Sequence, residues 1–314
     1  MFDYDPRDRD DDSRDDLEVH WVELSRGASD DYDSRDALED QRERDDSRDR
    51  DPRDPFVQGL ELPSGLEREV VVDGNYRYEL NGDDSRSLAA IGAFRVVPET
   101  DLRDPRDESN AREPDLRHLR DEGLVRFVSL EGRERAVTLT NRGHHLLEAH
   151  RRDHGDERVQ AFSAGVSRPR ELSHDAQLYG AYLREEARLR EQGGEVRRVV
   201  LEQELKREYQ EWLQEHNRGR ADSDGRPDRD DGEIEQWARE HDLPYFDDSV
   251  HFPDFRIEYE QDGRERHQDV EVVTEHYRGS HAAAVGRSGF SCHGRGGRSG
   301  GRGFDPRVAD EFLG

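Results

Sequence analysis

The sequence predicts an α+β protein: two successive ordered blocks of helices and strands, set between an acidic N-terminal segment and a Gly/Arg-rich tail. Three observations lead there. Only 30% of the 314 residues are hydrophobic and 40% are charged, against about 45–50% and 25% in ordinary domains, so a large part of the chain cannot join a packed core. Between residues 56 and 290, apolar residues recur at helical spacing in some segments and alternate in others. Turn-forming Gly, Pro, Asp and Asn stand at the junctions.

Charge and composition also exclude functions. A formal net charge of −28 rules out a generally cationic nucleic-acid binder, though not a local basic face. No stretch reaches the roughly 18 apolar residues of a membrane span, and no apolar leader follows Met1. A cytoplasmic protein with no membrane partner is expected. Cys292 is the one cysteine, which excludes an internal disulfide and any multi-cysteine zinc site.

Residues 1–55 carry 22 acids against 10 arginines in Asp/Arg/Ser-rich text, broken by one apolar island, Leu17–Leu24. Such a segment buries too little apolar area to offset the entropy of ordering, so disorder is expected. Residues 56–83 read as a hairpin and linker. Glu67–Val72 and Tyr76–Leu80 are strand-forming runs around an Asp73-Gly74 turn.

Residues 84–150 give the first block. Asp84 or Ser85 can cap a helix with Leu88, Ile91, Phe94 and Val97 on its apolar side, ended by Pro98. Glu99–Arg103 reads as a short second helix. Glu113–Val125 gives a third, with Pro114 in its first turn and Gly123 at its stop. Two strands about a Gly132 turn follow, then a helix capped by Thr140 or Asn141. Helix, short helix, helix, two-stranded wing, helix is the order of a winged helix-turn-helix.

The phrase DLRHLRDEGLVRF…AVTLTNRGHHLL resembles winged-helix domains of bacterial and archaeal regulators, in which the third helix enters the major groove and the wing touches the backbone. Residues 115–152 hold eight arginines and six acids, a slightly basic tract in an acidic chain. Arg112, Arg117, His118, Arg120, Arg133 and Arg135 are the candidate contacts to a DNA duplex, through phosphates above all. The competing reading makes these arginines a solvated surface paired with Asp121, Glu122 and Glu134.

After a linker at 151–172, residues 173–290 give the second block. Ser173 can cap a helix with Leu178, Tyr182 and Leu189 on one stripe, broken at Gly193-Gly194. A strand, a charged helix containing Glu204 and Lys206, a polar loop and a helix stopped by Pro244 come next. Phe255–Glu260 and Gln268–Val273 then alternate as strands about Gly263. Asp254 opens the first and Glu271, seventeen residues on, lies in the second.

That spacing resembles the PD-(D/E)xK nuclease core, a small α/β restriction-endonuclease-like fold. Its chemistry needs carboxylate oxygens for Mg²⁺ and a lysine two residues after the second acid. Here Val273 stands in that place, and the chain's single lysine, Lys206, lies upstream with Glu204. The resemblance implies Asp254 and Glu271 as metal ligands and Glu204 and Lys206 as completing groups, with Mg²⁺ the cofactor if the site is active.

FPDFRIEY and VEVVTEHYRG, with Asp254, Glu271 and Thr274 on the pattern and Val273 replacing an acid, resemble the replication-relaxation family of mobile-element proteins. That resemblance implies a winged helix joined to a nuclease-like domain and a part in replicating or mobilising plasmids and integrated elements. An H-x-H triplet of a rolling-circle relaxase is missing. His251, His267, His276, His281 and His293 match no zinc spacing and are expected at the surface.

Residues 291–314 form the Gly/Arg-rich tail with a short terminal helix. Its arginines, with Arg287 just before them, suit sequence-tolerant contact with single strands. The alternatives to a DNA-binding protein with a degenerate nuclease-like domain are an active Mg²⁺-dependent endonuclease and a transcriptional regulator whose C-terminal domain binds partners.

Overall fold

The computed structural model describes residues 51–102, 115–130, 134–152, 159–166, 171–217, 229–273, 286–294 and 297–298. Two units divide the chain, Met1–Asp46 and Ser47–Gly314, and every described residue belongs to the second. Residues 1–50 with the Leu17–Leu24 island, Arg112, the Gly132 turn, Arg133, Thr274, His276, His281 and most of the Gly/Arg-rich tail lie outside the described residues.

The architecture is mixed α+β. The first helix among the described residues, α1 (Asp54–Val57), is preceded by Asp51 and Arg53, both 2% exposed. This corrects the disordered boundary at residue 55: Arg53 forks onto Asp51 at 2.9 and 2.7 Å and reaches Asp83, Ser87 and the Leu102 carbonyl. An Asp/Arg sequence that reads as solvated is thus buried as a satisfied ion pair. The hairpin β1 (Glu69–Asp73) and β2 (Tyr76–Leu80) turns at Gly74, whose φ of +57° is left-handed. Val71, Tyr78 and Leu80 are buried, while Val70, Val72 and Tyr76 stay exposed.

Helix α2 (Gly82–Phe94) begins two residues before the expected cap. Asn81 accepts from the Asp84 amide, and the Asp84 carboxylate bonds back to the Asn81 amide, so Asp84 is the third helical residue of a capping box. The helix stops at Phe94, short of Pro98. Arg95 adopts φ 68°, ψ −47°, and the Val96 amide bonds the Phe94 carbonyl at 2.7 Å. This is a classic-type γ-turn, a rare conformation for a residue with a Cβ, costing on the order of 1–3 kcal/mol. Val97 therefore leaves the helix for strand β3 (Val97–Pro98).

A 3₁₀ turn (Glu99–Leu102) precedes α3 (Leu116–Asp121), whose Asp115 cap accepts from the His118 amide at 3.0 Å. Gly123 (φ +77°) ends it. Strands β4 (Val125–Ser129) and β5 (Arg135–Leu139) pair antiparallel, and β3 joins β5, giving the order β3-β5-β4. Thr140 caps α4 (Asn141–Ala149) through the Gly143 amide. A Cβ on Gly143 would come 2.2 Å from the Leu124 carbonyl oxygen, so glycine is required where helix meets strand.

Helix α5 (Leu172–Glu191) has no side-chain cap, since Glu171 occupies the cap position and Ser173 lies inside the helix. Strand β6 (Glu195–Leu201) leads into α6 (Glu202–Leu213), and α7 (Asp231–Glu240) starts with an Asp230/Glu233 capping box. The short hairpin β7 (Tyr245–Phe246) and β8 (Ser249–Val250) follows. Strands β9 (Phe255–Gln261) and β10 (Arg264–Val273) form an antiparallel pair, and β11 (Ser291–Gly294) lies parallel to β10 with β12 (Gly297–Arg298) outside it. The sheet order is β12-β11-β10-β9-β6. Residues 291–294 and 297–298, expected as flexible tail, are therefore sheet strands.

One continuous apolar core serves both blocks. Phe94 is fully buried with ring centroids 5.1–5.9 Å from Phe56, Tyr179, Tyr182 and Phe255. Leu119, Leu139 and Leu147 join the same core as Val199, Ile257 and Val270. Phe162, from the stretch expected as a linker, packs there too. Gln160 covers the edge of β6, its amide exchanging two 2.9 Å bonds with the Val199 backbone; a side chain thus blunts a sheet edge. Tyr209, Trp212, Trp237 and Phe252 form a separate aromatic cluster. No described helix is long and apolar enough to cross a membrane.

Candidate functional site

Asp254 stands where β9 begins, beside the end of β10. One step beyond the last paired residues, Phe255 and Val270, the antiparallel register continues to Asp254 and Glu271. The Asp254 Oδ2 accepts the Val272 amide at 2.7 Å and lies 3.2 Å from His174 Nε2, while its carbonyl accepts the Glu202 amide. Glu271 is 4% exposed and pairs in register with Cys292 of β11. Burial, then the negative charges of Glu271 and Asp254, push the Cys292 thiol up to about 11. The two acids of the expected motif are thus brought together.

The groups expected to complete them are held elsewhere. Lys206 pairs with Glu202 one turn back on α6, its ammonium over the Phe252 ring. Glu204 faces a cleft with Arg95 and Arg207, its carboxylate 3.8 Å from Arg198. Neither bonds to Asp254. Instead His174, near the start of α5, occupies the position beside it, with Asp175 Oδ1 3.8 Å away on its other ring nitrogen. Among the described residues no three His, Cys, Asp or Glu side chains are grouped to hold a metal ion. Asp254 Oδ2 is already engaged by an amide and an imidazole, and Val273 replaces the lysine, so the described residues do not fit Mg²⁺.

The chemistry of this cluster is an ion pair. Burial opposes charge on His174, but the nearby Asp175 carboxylate and the hydrogen-bonded Asp254 carboxylate outweigh it and push the imidazole up to about 10. A pKa raised from 6.5 stabilises the fold fully below about pH 6.5, and that contribution is lost as pH rises toward 10. Thermal melts should therefore show Tm falling between pH 7 and pH 10, and His174→Asn should flatten that fall. An unchanged pH profile in the variant would remove His174 as the cause. Asp175 Oδ2 is buried without a hydrogen-bond partner among the described residues.

A second buried cluster escaped sequence reasoning. Glu185 accepts from Ser291 Oγ and Arg188 Nε and lies 2.7 Å from His293 Nε2, with Glu185 and His293 side chains each 1% exposed. Burial opposes ionisation of Glu185, yet the bonds from His293, Ser291 and Arg188 hold its carboxyl down at about 2. His293 is therefore not a surface histidine: it pins β11 to α5. The available signal was Glu185's place on the Leu178–Tyr182–Leu189 stripe.

In the first block, the arginines expected to meet phosphate are divided. Arg117 on α3 is exposed and without an ion pair among the described residues. Arg120 forks onto Asp121 at 3.0 and 2.7 Å, and Arg135 onto Glu99 at 2.9 and 2.9 Å. His118 Nε2 lies 2.6 Å from the Glu79 carbonyl of β2 and 4.0 Å from Glu122, so it faces the hairpin. Arg142, which was not foreseen, stacks over Tyr76 at 4.4 Å beside the Gly123 turn. Exposed Arg126 on β4 is also free of ion pairs among the described residues. Arg287 bonds to Asp247 at 2.8 Å. Compared with protein-family models, curated proteins and solved structures, the chain matches none.

Proposed function

We propose that this chain is a DNA-binding protein of a replication or mobilisation system, docking on duplex through a winged helix and carrying a nuclease-like scaffold that does not cut. The observation that carries the reading is the arrangement of α2, α3 and α4 around the sheet β3-β5-β4. A short helix with exposed Arg117 next to the β4–β5 pair supports the reading, since winged-helix domains meet DNA through such a helix and wing. The Asp121 and Glu99 pairs do not close the surface. Arg120 and Arg135 are 50% and 55% exposed, and exposed pairs are worth only about 0–1 kcal/mol, so a phosphate can replace either acid at small cost.

For the second block, the antiparallel strands that place Asp254 opposite Glu271 support a nuclease-like ancestry. The imidazole at Asp254 and the displaced Lys206 argue against the cutting reading. Supercoiled DNA incubated with the protein and Mg²⁺ should stay intact; nicking that Asp254→Ala abolishes would restore that reading. For duplex binding, Arg117→Glu and Arg142→Glu should each raise Kd about tenfold, or 1.4 kcal/mol, and reduce the salt slope by about one. Wild-type affinity in both variants would remove these residues from the interface.

A further inference from the structure

The four large apolar side chains that stay well exposed among the described residues, Leu66, Val70, Val72 and Tyr76, all fall within residues 66–76. The Tyr76 ring is partly covered, with the Arg142 guanidinium 4.4 Å over it. Val70 and Val72 are 53% and 55% exposed, and alternation along β1 turns both away from buried Val71. The hairpin register sets Glu79 beside Val70 and Arg77 beside Val72, so these four exposed side chains share one outer face. Arg77 forms no ion pair among the described residues; Glu79 acts on Arg68, which is itself bonded to Asp115 at 2.9 Å. Strand addition at the hairpin's edges is obstructed. His150 Nε2 lies 3.2 Å from the Val72 carbonyl of β1, and His118 Nε2 lies 2.6 Å from the Glu79 carbonyl of β2. With His145 on Asp73 at 2.7 Å, three histidines fasten the hairpin and leave its outer face open.

This face matches itself. A two-fold axis running along the strands would stack each valine on a charge. An axis running across them, midway between the Val70–Glu79 and Val72–Arg77 pairs, lays β1 on the partner's β1 and β2 on the partner's β2. Val70 then meets the partner's Val72, Glu79 meets the partner's Arg77, and the symmetry repeats both contacts. Such mutual matching is what an isologous interface requires, and sheet faces stack in this way about 10 Å apart. We propose that the outer face of β1-β2 docks on a second copy of this chain, forming a two-fold dimer through Val70, Val72, Arg77 and Glu79. Each strand has five residues. The face is therefore small among specific interfaces and the dimer is weak, half-formed at about 10–100 µM. The dimer does not depend on docking of the winged helix on duplex.

Sedimentation equilibrium of the full chain over about 5–500 µM, in about 150 mM salt to screen the net negative charge, tests this. Wild type should pass from monomer to dimer across that range. Arg77→Glu sets acid against acid at both charge contacts, and Glu79→Arg sets base against base; each should weaken association about tenfold or more. Mixed in equal amounts, these two single variants should associate again, because acids on one chain then meet bases on the other. The double change Arg77→Glu, Glu79→Arg should likewise restore self-association. Val70→Ser with Val72→Ser should abolish the dimer. Tm at low concentration should hold in every variant, since the four side chains lie outside the core. A wild type that stays monomeric throughout would overturn the proposal and leave the face to a different protein. A dimer that both single charge variants keep, or a mixture of them that stays monomeric, would overturn it equally.

Discussion

Replacing Phe94 by alanine should lower the unfolding free energy by about 3–5 kcal/mol, the range for emptying a large aromatic site in a packed core. The ring is fully buried against four other aromatic rings, which come from α1, α5 and β9 while Phe94 itself closes α2. Losing it therefore removes contacts on both sides of the molecule at once. Urea unfolding followed by far-UV circular dichroism and by tryptophan fluorescence should show both signals shifting together to lower denaturant. A loss under 1 kcal/mol, or a shift confined to one signal, would mean that the two blocks do not share a core.

Asp269→Ala should cost a comparable amount, about 3–5 kcal/mol, because it strands a buried guanidinium. Arg256 and Asp269 face each other across β9 and β10, bonded at 2.6 and 2.9 Å, and each side chain is about 10% exposed. The same guanidinium donates to the carbonyls of His241 and Asp242, fastening the end of α7 to the sheet. The double change Arg256→Met, Asp269→Leu should recover most of the loss, since an apolar pair of similar volume avoids the desolvation cost of both charges. Failure of the double variant to recover would show that the carbonyl contacts, and not the pair, carry the stabilisation.

Local chemistry was legible in the sequence. The Asp73-Gly74 hairpin, the Thr140 cap, the Gly123 stop and the turn at Gly263 all follow from backbone preferences within a few residues, and so does the alternation that pairs β9 with β10. Long-range burial was not. Ser291-Cys292-His293 sits in text that reads as a glycine-rich tail, and nothing local announces that it pairs with β10. Glu185 and Arg53 look like surface charges until their partners His293 and Asp83, 108 and 30 residues away, are known. The γ-turn at Arg95 was hidden because Val97 continued the helical spacing past the real end of α2.

The candidate site divided along the same line. The register of two neighbouring strands was enough to bring Asp254 to Glu271. The place of Lys206 and Glu204 depended on how α6 rotates, which a charged helix with few buried residues does not reveal: only Leu205 and Leu213 are buried. His174 went unnoticed because it reaches Asp254 across 80 residues.

The central claim, that a locally cationic winged surface docks on duplex despite a net charge of −28, is tested most directly by fluorescence anisotropy of the full chain with a labelled duplex across a salt series. The account predicts binding at about 50 mM salt that weakens linearly in log Kd against log salt, each engaged phosphate adding roughly 0.9 to the slope. Absence of binding at 50 mM salt, or an affinity that salt leaves unchanged, would contradict it.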